Sequence, residues 1–147
     1  MPNGLKIFNL LCNFKHIQNV NLECVFFMNI EELRKYCISK KGVTEDFPFD
    51  VDTLVFKVLG KMFALVGLKK WEAGEKAINL KCDPEYAQEL RAEYSSIRAG
   101  YHMSKKHWNT LYIQEGELSP KFICALIDHS YDMVVKGMPK KMRESLQ

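Results

Sequence analysis

The chain has 147 residues, which is close to the commonest size of one domain and too short for two ordinary ones. With 47% hydrophobic and 27% charged residues, it has enough apolar side chains for a compact core, which excludes a wholly disordered chain. The formal net charge of +3 excludes a strongly basic protein, so any nucleic-acid-binding surface must be a local patch.

Residues 1–27 differ in character from the rest of the chain. Their apolar residues come in short bursts between polar ones, which fits neither a membrane span nor the centre of a signal peptide. Asn29 can then cap a helix whose first turn is acidic, which is typical of the start of a domain. We expect residues 1–27 to be an extension that is foreign to the native protein or poorly ordered. The alternative is that these residues form an extra element packed on the domain. The domain itself spans residues 28–147.

The first half of the domain has the pattern of a helix followed by a loop and a β-hairpin. One helical face contains Ile30, Leu33, Tyr36 and Cys37, and Gly42 is a plausible stop. Residues 43–53 contain a proline and four acids and predict a loop that enters a sheet. Residues 54–58 and 61–66 are β-rich and flank a glycine turn, which predicts a hairpin.

The second half of the domain alternates between strand and helix patterns. In chain order it predicts a strand, a helix, a loop, another strand and a long helix, at residues 77–81, 84–94, 95–104, 107–113 and from 120 onward. Asp83-Pro84 and Ser119-Pro120 each place a capping side chain before a proline at the first helical position. The predicted fold class is therefore α+β, with a half-exposed antiparallel sheet.

The cysteines of the chain do not form a metal-binding pattern. There are five, an odd number at irregular spacing, and no two are arranged as CxxC. We interpret Cys37, Cys82 and Cys124 as small buried hydrophobic residues in a reducing cytoplasm, and we expect no metal site and no cofactor.

No catalytic motif is recognisable in the sequence either. His129 stands beside Asp128 and Ser130, but neighbours on a helix point about 100° apart and cannot form a relay among themselves. His102 and His107 could bind a metal only with partners from elsewhere in the chain. We therefore expect a protein that is not an enzyme.

Residues 98–109 have the composition of a nucleic-acid-binding surface. They include three fixed positive charges, two histidines, two aromatic residues and no acid. Such sites use Lys and Arg to neutralise phosphates, polar groups to set register and aromatic rings to stack on bases. The competing interpretation is that Trp108 is a core residue and that the lysines merely cover a loop.

A set of motifs recurs in order along the domain, at residues 46–49, 53–58, 60–64, 79–85, 100–103, 106–109 and 128–132. Together, from residue 28 to about residue 143, they resemble the MmcQ/YjbR family. The resemblance implies a CyaY-like α+β fold in which a curved antiparallel sheet packs against helices. It also implies a double-wing arrangement that binds DNA.

The resemblance further implies a DNA-binding surface beside the exposed face of the sheet. The predicted nucleic-acid-binding residues are Lys57, Lys61, Lys81, Arg98, His102, Lys105, Lys106, His107, Asn109, Ser130 and Tyr131. In this interpretation the three strand lysines lie on the exposed face, and Ser130 and Tyr131 line the same region from the last helix. The competing interpretation for Tyr131, as for Trp108, is packing in the core.

Two functions remain open at this point. The first is a monomeric, non-enzymatic module that binds DNA and no membrane, and the alternative is a protein-interaction or small-ligand adaptor on the same fold. Iron handling of the frataxin type ranks third, because the acids of residues 45–52 are interrupted by aromatic residues and lie in a loop. A continuous positive face that joins Lys57, Lys81, Arg98, Lys105 and Lys106 would favour DNA, whereas dispersed lysines would favour the adaptor.

Overall fold

The structure, a computed structural model, describes residues 29–147. The predicted start of the domain at Met28 and the extension before it lie outside the described residues. The elements are α1 (Ile30–Ile38), β1 (Val43–Asp46), β2 (Thr53–Val58), β3 (Lys61–Gly67), α2 (Leu68–Glu72), β4 (Ala77–Lys81), α3 (Pro84–Glu93), β5 (Ile97–Ala99), β6 (Trp108–Tyr112), a 3-10 turn (Ile113–Glu115), α4 (Pro120–Lys136) and α5 (Lys140–Glu144). The predicted α+β class is confirmed. No helix of residues 29–147 is long and apolar enough to cross a membrane.

The three long helices begin where the sequence predicts. The side chain of Asn29 accepts a hydrogen bond from the Glu32 amide at 3.0 Å. Asp83 and Ser119 accept equivalent bonds from the third residue after each, at 3.2 and 3.1 Å. Each cap satisfies an amide that the first helical turn leaves without a partner.

The strands form one antiparallel sheet in the order β1-β2-β3-β4-β6-β5. The register pairs Val43 with Val58, and Lys81 with Trp108. As a result, one end of the sheet holds the first residues of β1, β3 and β6 and the last residues of β2, β4 and β5. The β5-β6 connection at that end holds four of the predicted binding residues, His102, Lys105, Lys106 and His107.

The sheet has one face covered by helices and an opposite face, called the open face below, whose apolar cluster contains no helix residue. The main core lies on the covered face and includes Leu54, Phe56 and Val58 of β2. A smaller cluster on the open face consists of Val55, Leu65 and Trp108, with half-buried Met62 and Met103 packed against it. The alternation of side chains along a strand produces these two clusters from adjacent residues.

Two segments predicted as loops are in fact the edge strands of the sheet, β1 and β5. β1 has four residues, three of them polar, and β5 has only three residues, so no period of two could be recognised in either. They are strands because each pairs with a neighbour of stronger β pattern, β2 and β6 respectively. The short helices α2 and α5 were not predicted at all.

The three predicted core cysteines are all buried. Burial raises the pKa of Cys37 and of Cys82 to about 12. Both therefore stay protonated at neutral pH and act as small apolar side chains, as the sequence predicts.

Candidate nucleic-acid interface

Residues 101–107 connect β5 to β6 and are called the basic loop below. The Ser104 carbonyl accepts hydrogen bonds from the amides of His107 and Trp108, at 3.1 and 3.0 Å. Where the loop leaves β5, the Gly100 amide donates to the Trp108 carbonyl at 2.9 Å. A Cβ atom at Gly100 would lie 2.9 Å from the Trp108 Cβ, so only glycine fits at this crossing.

The guanidinium group of Arg91 in α3 binds the same loop, a role that was not predicted from the sequence. Its Nε donates to the Asn109 Oδ1 at 2.6 Å, and its Nη2 donates to the Lys105 carbonyl. Asn109 is therefore only 2% exposed, and its predicted place on the surface is wrong. The amide side chain lies inside because it is the partner of the guanidinium.

The register of the sheet places Lys81 beside the basic loop. Lys81 is paired with Trp108, and the Cys82 amide donates to the His107 carbonyl at 2.8 Å. Lys105 and Lys106 are exposed and Lys81 is half-buried. None of the three lysines forms an ion pair with another residue of 29–147, so their charges are available to a ligand.

The two histidines of this region differ in accessibility. His102 is exposed and has a left-handed backbone, with φ at 57°, whereas His107 is half-buried. The His102 ring lies 3.9 Å from the Tyr101 ring, centroid to centroid. Within residues 29–147 no group of three or more His, Cys, Asp or Glu is arranged to hold a metal ion.

The prediction that Lys57 and Lys61 share one face of the sheet is wrong. Lys57 lies on the open face, where its Nζ is 3.1 Å from an Asp46 carboxylate oxygen. Lys61 is paired with Val58, a residue of the main core, so it belongs to the helix-covered side at the tip of the hairpin. An irregularity after Phe56 shifts the register there, which a strict alternation in the sequence does not reveal.

Arg98 lies in β5 and its charge is already paired. Its Nη2 is 2.6 Å from the Glu115 Oε1, and its guanidinium carbon is 4.4 Å from the centre of the Tyr112 ring. Because both partners lie at the far end of β6, the guanidinium points away from the basic loop. Arg98 therefore does not join the lysines in one positive face.

Ser130 of α4 is fully buried on the helix-covered face, so its predicted place beside the basic loop is wrong. Its hydroxyl donates to the Phe63 carbonyl at 2.5 Å and accepts from the Lys81 amide at 2.8 Å. The ladder between β3 and β4 pairs Ala64 with Leu80, so Phe63 and Lys81 would be the next pair. The hydroxyl thus bridges two strands where their direct pairing stops.

The neighbours of Ser130 bind other elements in the same way. The Asp128 carboxylate accepts from the Tyr36 hydroxyl at 2.7 Å and forms an ion pair with Lys40. Tyr131, also predicted to line the DNA surface, instead donates its hydroxyl to the Lys41 carbonyl at 2.7 Å. Its ring packs edge-on against the Phe63 ring, as the core interpretation predicts.

His129 is a buried hydrogen-bond acceptor. Its Nε2 accepts from the Asp83 amide at 3.2 Å, and its ring packs edge-on against the Tyr86 ring. Burial lowers the pKa of His129, and the nearby Asp83 opposes that effect in part. The neutral imidazole therefore helps to hold the start of α3.

A second exposed feature lies in residues 47–51, between β1 and β2. Phe47, Phe49 and Val51 are 46%, 62% and 89% exposed, unusual for large apolar side chains. Asp50 accepts from the Thr53 amide at 2.6 Å, which fixes the base of the segment. Hydrogen bonds from the amides of Asp52 and Thr53 lower the pKa of Asp50. This apolar segment connects β1 to β2 at the end of the sheet opposite to the one where the basic loop joins β5 and β6.

Comparison with known proteins identifies the family of this fold and its motifs. The family model YjbR matches residues 38–133, well over half of the chain. The chain belongs to the YjbR family. The resemblance noted in the sequence is thereby confirmed.

Relatives in the YjbR family cover most of the chain. The Escherichia coli K12 protein YjbR is 35% identical over 81% of this chain and 98% of its own length, and that relative is uncharacterised. A crystal structure of the Deinococcus radiodurans protein DR2400 has a TM-score of 0.72 at 38% identity, covering 80% of this chain and 87% of that one. A Pseudomonas syringae protein structure has a TM-score of 0.60 at 30% identity, covering 72% and 98%. These likenesses establish family and fold but supply no activity.

Proposed function

We propose that this YjbR-family chain is a non-enzymatic module that binds duplex DNA through its phosphates. The contacts are made by Lys81, Lys105 and Lys106, with His102 at the margin of the same surface. The observation that supports this most is the sheet register, which brings Lys81 next to a loop that presents two unpaired lysines. Lysines paired with phosphates give affinity without sequence preference.

The rigidity of the basic loop adds to the case. Arg91 binds the Lys105 carbonyl, and the Ser104 carbonyl is bonded to two amides, so the backbone below both lysines is fixed before any ligand arrives. A preformed loop loses less conformational entropy on binding than a flexible one. The lysines are thus presented on a defined base rather than on a flexible tail.

The test is a salt titration of binding to a labelled duplex. Each phosphate contact contributes about 0.9 to the slope of log affinity against log salt. We expect the double variant K105A/K106A to reduce that slope by about 1.8, and to weaken binding to unrelated sequences equally. A matched control is K69A/K121A, which also removes two exposed lysines, neither of which belongs to this loop. Lys70 is left in place because its Nζ lies 5.3 Å from the centre of the Tyr101 ring of the loop.

Two outcomes would reject the proposal. One is an equal loss of slope in K105A/K106A and in K69A/K121A, which would mean that the slope depends only on the net charge of the protein. The other is the absence of any duplex binding by the folded wild-type protein at low salt.

A protein-interaction module is the second candidate, and the exposed segment of residues 47–51 supports it. Its apolar side chains stand on a base that Asp50 fixes, which suits insertion into an apolar pocket of a protein partner. The double variant F47S/F49S should leave the DNA salt slope unchanged if DNA is the ligand. Loss of DNA binding in that variant with an unchanged melting temperature would place the DNA interface in this segment.

A further inference from the structure

We propose that a second phosphate-binding cluster lies around Gly42 and contacts the same duplex as the basic loop. This inference rests on the proposed function. The cluster, called the Gly42 cluster below, consists of Lys41, Lys61, Lys140, Lys141 and Arg143. None of these residues except Lys61 belongs to the surface predicted from the sequence.

Three distant segments meet at Gly42. Its carbonyl accepts from the Leu59 amide at 3.1 Å, and a Cβ atom added to it would lie 2.5 Å from the Leu146 side chain and 3.3 Å from that of Leu59. Its φ of +71° also belongs to the region that favours glycine. The close contact brings α5 and the tip of the β2-β3 hairpin to the chain that follows α1.

The cations of α5 face solvent because its apolar residues face the domain. Met142 and Leu146, four residues apart, pack against the main core. Lys140, Lys141 and Arg143 are exposed. Lys41 and Lys61 are also exposed, and each of the five cations lies within six residues of Gly42, Leu59 or Leu146 along the chain.

The acids of the chain neutralise little of this charge. Within residues 29–147 the ion pair that involves the cluster joins Lys140 to Glu144 at 3.8 Å, with both side chains more than half exposed. Such an exposed pair contributes little to stability and does not hold the lysine in place. Residues 136–147 hold four cations and one acid, a net +3, which equals the formal charge of the whole chain.

The two clusters lie along one end of the sheet, at a spacing that suits a duplex. Lys41 precedes β1 and the basic loop precedes β6, four strand positions away in the sheet order. Four positions correspond to about 19 Å, or about 6 base pairs of DNA. A duplex longer than this can contact both clusters at once. Within the Gly42 cluster, Lys61 lies at the hairpin tip, nearer to the basic loop in the sheet order than Lys41.

The experiment compares three variants that each remove two charges: K141A/R143A, K105A/K106A and K69A/K121A. In the salt titration we expect the slope to fall by about 1.8 in each of the first two and much less in the third. The quadruple variant of the two clusters should lose about 3.6, because distant contacts add. Binding should keep a ratio of one duplex to one protein in sedimentation.

Different experimental outcomes would reject the two proposals. If K105A/K106A flattens the slope but K141A/R143A behaves like K69A/K121A, the Gly42 cluster is rejected and the basic loop stands. A ratio of two duplexes to one protein would also reject the shared duplex. If the folded wild type binds no duplex at low salt, the proposed function fails and this inference fails with it.

Discussion

The buried polar residues 128–131 of α4 and the basic loop of residues 101–107 both contain motifs that resemble the YjbR family, yet the structure uses them differently. Each side chain of the helical run binds a different part of the fold: α1, the start of α3, the β3-β4 ladder and the chain after α1. The lysines of the basic loop are exposed and pair with no acid of the described chain. A recurring motif therefore indicates structure in one place and a binding surface in the other.

Burial and pairing separate the two roles. A buried polar group must find its partners within the protein, because leaving it without one costs about 1–3 kcal/mol. An exposed lysine is satisfied by water and keeps its charge for a ligand. Substitutions in the helical run should therefore change stability, and substitutions of the loop lysines should change binding.

The largest expected effect is on stability, at Trp108, a buried residue at the base of the basic loop. This residue is 8% exposed and packs with Val55 and Leu65 at the base of the basic loop. We expect Trp108→Ala to lower the free energy of unfolding by about 3–5 kcal/mol, measured by urea denaturation. Tyr101→Ala, at a residue 64% exposed, is the control and should stay within about 0.5 kcal/mol of wild type. An unchanged midpoint for Trp108→Ala would place the indole on the binding surface.

The next effect concerns the helical run itself. Ser130→Ala leaves the Phe63 carbonyl and the Lys81 amide without their shared partner, so we expect a loss of about 2 kcal/mol in unfolding free energy. The DNA salt slope of the folded variant should not change. A reduced slope at full stability would mean that Ser130 acts in binding after all.

A matched control for Ser130→Ala is available directly after α5, at Ser145. Ser145 also donates its hydroxyl to a carbonyl, that of Met142 at 2.6 Å, but in an exposed position. Water can replace that bond, so Ser145→Ala should cost less than about 0.5 kcal/mol. Equal losses at the two serines would contradict the importance of burial.

The smallest effect is a pH dependence from His129. Burial lowers the pKa of this histidine in the folded state, so the unfolded chain binds the proton more readily. The stabilisation is fully present above the unfolded pKa of about 6.5 and is lost as the pH falls toward the folded pKa, by at most about 1.4 kcal/mol per pH unit. Denaturation of wild type and His129→Gln between about pH 5 and 7 should show a shallower dependence in the variant. Parallel curves would contradict this assignment.

The sequence predicts the elements with strong local signals and misses those formed by tertiary contact. The caps at Asn29, Asp83 and Ser119 and the strong strands follow from residue type and spacing. The edge strands β1 and β5 do not, because pairing with a neighbour imposes their conformation.

The candidate site was predictable only in part for a similar reason. Composition identifies Lys105 and Lys106, but it cannot show that Arg98 is paired with Glu115 or that Asn109 is buried against Arg91. Those contacts join residues 17 and 18 positions apart in the chain. The grouping of α5 with Gly42 likewise depends on packing between opposite ends of the domain.

The most direct test of the central claim is a map of backbone amide chemical shifts as duplex DNA is added to the wild-type protein. The account predicts that the largest changes fall at one end of the sheet, at Lys81, in the basic loop and around Gly42. Residues 47–51 and the amides of the buried run 128–131 should change little. Changes concentrated in residues 47–51, or none at low salt, would contradict the assignment of that end of the sheet to DNA.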